Sequence, residues 1–89
     1  MMPKYIKEIV QNNIIELPEP YGYRLQVNKH VSRDSLNTKL EKLKKWANRL
    51  CPDSVEIIKD SRIIGIHKTI DIKIYDPACR EIEDIKALK

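Results

Sequence analysis

The side chains best suited to chemistry in this chain are few and far apart. His30, His67, Cys51 and Cys79 supply two imidazoles and two thiols. Together they would make a four-ligand zinc set, but none stands in the close pair spacing that structural zinc sites use, so no metal site is expected. Asp71 and Asp76 flank an extended stretch, and two carboxylates five residues apart on a strand fall on opposite faces. Gly22 and Gly65 are the only glycines, too few for a loop that cradles phosphates; nucleotide hydrolysis is thereby disfavoured, and no cofactor is expected. One enzyme reading survives as a subordinate one. A small basic ribonuclease would use His67, beside Lys68 in "GIHKT", or His30 as general base, with Arg or Lys stabilising the developing negative charge. No second acid or base is positioned by spacing, so the chain is read as non-enzymatic.

Charge is the more telling feature. The chain carries a net +4, yet residues 21–50 alone hold eight Lys or Arg against two acids, which leaves the remainder slightly acidic. Within that segment "KLEKLKKWANRL" packs five basic residues and the only Trp into twelve positions. Set at 100° per residue, Lys42, Lys45 and Arg49 share a ridge opposite the Leu/Ala stripe, about one turn apart. Arg24, Lys29 and Arg33 lie just upstream and would extend the ridge into a positive band that follows a phosphate backbone. Trp46, at the border of the stripe, is placed to stack on a base. The competing reading is plain: a solvated helix face is normally charged, cations late in a helix suit its dipole, and Trp is commonly a core-edge residue.

The elements that must position these residues follow from pattern. Pro18 and Pro20 in "LPEPYGY" stop any helix from running through. They separate an N-terminal arm, residues 1–20, with a short helix from Lys4 to about Asn12, from a body over residues 21–89, all in one domain. Tyr23, Leu25 and Val27 alternate with Arg24, Gln26 and Asn28, the signature of a half-buried strand. Ser32 or Asp34 then caps a long helix with Leu36, Leu40, Leu43, Ala47 and Leu50 at helical spacing, ended by Pro52. Residues 54–75 are rich in β-branched side chains and predict two or three antiparallel strands, with Asp60-Ser61 as a turn and a bend at Gly65. Asp76 and Pro77 open a short C-terminal helix. The fold class expected is α+β: a small two-layer sandwich, an antiparallel sheet of three to four strands with the long helix and the C-terminal helix on one face.

Such a chain has no apolar run near the length of a membrane span and no signal-peptide pattern, so a cytoplasmic protein with two reduced thiols is expected. Its composition, rich in Ile and Lys, suits an AT-rich genome or a thermophile. The leading functional expectation is a small basic accessory or regulatory protein that binds RNA or DNA through Arg24, Lys29, Arg33, Lys42, Lys45, Trp46 and Arg49. The alternative is a protein-interaction module, an inhibitor or adaptor, that works through a sheet edge or by self-association, for which the ridge serves only solubility.

Overall fold

The computed structural model describes residues 2–17 and 22–75. The chain runs α1 (Lys4–Asn13), β1 (Ile14–Leu17), β2 (Gly22–Asn28), α2 (Arg33–Leu50), β3 (Val55–Ile64) and β4 (His67–Ile74). The strands form one antiparallel sheet in the order β1-β2-β4-β3, with both helices on one face, so the α+β sandwich stands. The C-terminal helix expected from residue 76 onward lies outside the described residues.

A ten-residue helix is marginal alone, and α1 is held by packing. Ile6 and Ile9 enter the same core as Leu36, Leu40 and Leu43 of α2 and Leu25 of β2. Its first turn is closed by the Pro3 carbonyl, which accepts from the Ile6 and Lys7 amides. At its end Asn13 Nδ2 donates to the Gln26 carbonyl at 3.0 Å, and the chain passes straight into β1. That strand is an addition to the sequence reading: four residues before a proline carry little pattern of their own. Pairing of Ile14 with Leu25 and Ile15 with Arg24 makes it a strand.

In α2 the cap is Ser32, whose Oγ accepts from the Ser35 amide at 3.1 Å. Leu36, Leu40, Leu43 and Ala47 are buried as expected, whereas Leu50 is 47% exposed and belongs to the surface. Past the helix, Asp53 takes a left-handed φ of 57°. The fully buried Ser54 secures this turn: its Oγ shares its proton between the Ala47 and Cys51 carbonyls, and its amide donates to Asn48 Oδ1. Cys51 is disulfide-bonded, not the reduced thiol expected, and so is withdrawn from any zinc set. Cys79 lies outside the described residues.

The β3–β4 turn is Gly65-Ile66, and Gly65 supplies the positive φ of 60° that a two-residue hairpin loop demands. Asp60-Ser61, expected as the turn, instead sits inside β3. The register slips there between Lys59 and Arg62, and again between Ile57 and Lys59, so two irregularities bend the strand. β4 occupies the centre with Ile70 and Ile72 buried under the helices. The opposite, open face of the sheet carries Arg24, Asp71, Thr69 and Arg62, which cross-strand pairing places side by side.

Candidate binding surfaces

Three surfaces can be built from these elements. The first is the expected basic ridge. Lys42, Lys45 and Arg49 are exposed on α2 and make no ion pair among the described residues. Their neighbourhood is mixed: a shallow groove along the same face is lined by Asp34, Thr38, Glu41, Lys42 and Lys45, and Glu41 lies 3.7 Å from Lys44. The cationic part is thus confined to the C-terminal half of the helix.

The remaining members of the expected band do not join it. Trp46 is 7% exposed and part of the core, so no ring face is free to stack on a base. Arg24 projects from the open face of the sheet, with the full sheet between it and α2. Arg33 is exposed in the first turn of α2 but flanks a different groove, shared with Ile57, Asp60 and Ser61 of β3. Lys29 sits at the β2–α2 turn, exposed, its amide donating to the Ile66 carbonyl at 2.8 Å. The cations are real surface charges, but they point in several directions.

The second surface is a charge network on the open face. Asp71, in the middle of β4, is 4% exposed. Its Oδ1 accepts from Arg24 Nε at 2.8 Å and its Oδ2 from Arg24 Nη2 at 3.2 Å and Arg62 Nη2 at 2.5 Å. The hydrogen bonds from Arg24 hold the Asp71 carboxyl below its usual range; burial opposes them and the bonds from Arg62 reinforce them. The same pairing raises Arg24. Arg24 is therefore spent on a carboxylate of its own chain. This network was not legible in sequence, because Asp71 is separated from its partners by 47 and 9 positions.

Histidine chemistry finds no support in geometry. His30 is exposed, and the half-buried His67 has no hydrogen-bond partner for Nδ1. Among the described residues neither is held by a carboxylate, the orienting contact a general base needs. Among the described residues no three His, Cys, Asp or Glu side chains are grouped to hold a metal ion. No described helix is long and apolar enough to cross a membrane.

The third surface is apolar. Ile57, Ile58, Ile63 and Ile64 on β3 and Ile66 in the turn are each between 41% and 62% exposed. Scattered exposed apolar residues are ordinary, but five isoleucines are concentrated on one edge strand and its hairpin tip, with Ile57 and Ile63 on the helix-bearing face and Ile64 on the open face. Ile58 also lies across β4: a Cβ on Gly22 of β2 would sit 2.9 Å from its Cδ1 and 3.0 Å from the Ile72 carbonyl oxygen, so the side chain and the β4 backbone both approach this glycine closely. With β4 on its inner side, β3 has its outer backbone groups unpaired among the described residues. Comparison with protein-family models, curated proteins and solved structures finds no match for this chain.

Proposed function

We propose that this chain is a protein-interaction module whose working surface is the outer edge of β3 with its flanking isoleucines. The observation that carries this reading is the exposure of Ile63 and Ile66, 62% each, on and beside a ten-residue edge strand whose outer side is unpaired among the described residues. Native proteins usually blunt such edges, because free amides and carbonyls template pairing with any extended chain. Lys59, Asp60 and Arg62 supply some protection through charge, yet the isoleucines on either side of them remain in water. An extended, β-branched strand is the partner this surface fits: backbone bonds would give affinity and alternate side chains would meet the isoleucines.

The test compares two variants in capture from a lysate of the source organism. Ile63→Lys/Ile66→Lys alters positions with little packing, so the fold should survive. It is expected to lose partners that Lys42→Glu/Lys45→Glu retains. The reverse pattern would move the function to α2.

A second reading rests on Lys42, Lys45 and Arg49, which stand on one helix face with no ion pair among the described residues. On it the protein binds RNA or DNA as a small accessory factor. With three phosphate contacts, the log-log salt slope on duplex DNA should be about −3, and Lys45→Glu should make it shallower by about one. Absence of binding at low salt ends this reading. Disulfides persist in oxidising compartments and in the intracellular proteins of hyperthermophiles. The disulfide at Cys51 fits an oxidising compartment as well as the cytoplasm of a hyperthermophile.

A further inference from the structure

We infer that the strand which occupies the β3 edge is β3 of a second copy of this chain, in an antiparallel pairing centred on Lys59. The inference rests on the reading of β3 as an interaction edge and adds the identity of the occupant. Three features of β3 point to it.

The first is charge. Glu56 stands three residues before Lys59 and Arg62 three residues after it, so a two-fold axis at Lys59 sets each Glu56 across from the partner's Arg62. The attraction is made twice, with each Arg62 keeping its bond to Asp71 of its own chain. The second is sidedness. Glu56 pairs with Lys73 and Arg62 with Thr69, both on the open face of the sheet, so the charged partners project on the same side. Val55 and Ile63, equally spaced about Lys59, pair with Ile74 and Lys68 and share the helix-bearing side. Val55 is buried in its own core at 8% exposure, so the 62% exposed Ile63 is the apolar side chain each copy brings to the seam. The third is the placement of the bends: the two register slips lie on either side of Lys59, so both strands deform alike about the axis. The cost is a Lys59–Lys59 pair at the axis itself, with Asp60 of each copy beside it.

A two-fold axis normal to the sheet preserves its faces. The result is one eight-stranded sheet with both α2 helices on the same side, and a closed assembly in which neither β3 edge is left open. The two ridges of Lys42, Lys45 and Arg49 then face the same direction.

The experiment is sedimentation of the purified chain over a dilution series, with hydrogen exchange read at each concentration. A species of twice the 10.5 kDa chain mass is expected, with β3 amides losing protection as it dissociates. Ile63→Lys/Ile66→Lys should sediment as a monomer with an unchanged circular dichroism spectrum. Glu56→Lys, which sets like charges across the axis twice, should weaken the dimer roughly tenfold. A monomer at the highest soluble concentration overturns the inference, and so does a dimer indifferent to these variants or lacking β3 protection. Edge-dependent capture of another protein by a monomeric chain would leave the module reading standing and refute only self-pairing. If neither capture nor dimer depends on the edge, both fall.

Discussion

Replacing Asp71 by Ala is expected to cost about 2–4 kcal/mol of folding stability, a large part of what a domain this size has. Among the described residues, the ion pairs of Arg24 and Arg62 on the open face converge on this one carboxylate, whose side chain is 6% exposed. Removing it leaves two guanidinium groups next to each other without a counter-charge. Their side chains keep 25% and 30% of their surface in water, which places the estimate below the cost of breaking a fully buried pair. Asp71→Asn keeps the shape but not the charge and should fall between.

The pH dependence has a definite sign. Since the folded-state pKa of Asp71 is lowered, its contribution is fully present above the unfolded value, about 3.9, and is lost as pH falls through the lower folded value. Urea denaturation of wild type and Asp71→Ala should therefore show a wide gap at neutral pH that narrows in strong acid. A gap under about 1 kcal/mol at neutral pH would show that the network is no more than a surface ion pair.

The second large effect concerns Trp46. As a core side chain, its truncation to Ala should cost about 3–5 kcal/mol, while Trp46→Phe should be much milder. Its fluorescence should be that of a buried indole and should not respond to added single-stranded nucleic acid, even if the α2 ridge binds. Strong quenching by a nucleic acid, with the fold intact, would restore the stacking role expected from the sequence.

Much of the frame was legible in the sequence. Ser32, the leucine stripe and Pro52 located α2 almost to the residue, and the Tyr23-Leu25-Val27 and Ile70-Ile72-Ile74 alternations located β2 and β4. The binding set fared worse, for a physical reason. A helical wheel sorts residues within one element, yet whether a border residue is inside depends on what lies beside it. Because α2 packs against both the sheet and α1, its buried arc is wide enough to take in Trp46. For Arg24 the signal was present and misjudged. The alternation that sends Leu25 toward the helices must send Arg24 to the other face, away from any ridge on α2. The role of Asp71 was beyond reach, because a carboxylate between two isoleucines shows its purpose only when β2 and β3 are laid beside it. The β3 edge was half legible: residues 55–75 were expected to leave an edge free, but which strand took the centre depended on long-range pairing.

That arrangement has a consequence for how the protein comes to be folded. The last described strand lies between β2 and β3, so β3 has no neighbour until β4 has been made, and β2, paired with β1 on one side, waits for its second partner across α2 and β3. During synthesis the α1–β1–β2 portion emerges first and can collapse on α2. The isoleucines of β3 then leave the ribosome with nothing to pair against. Closure at Gly65 is local and fast, whereas joining Arg24 to Asp71 spans 47 positions. The expected slow event is the docking of a preformed β3–β4 hairpin onto β2. Until it occurs, the outer edge of β3 and the β2-facing edge of β4 are both bare, which makes that interval the one in which the chain is most open to aggregation.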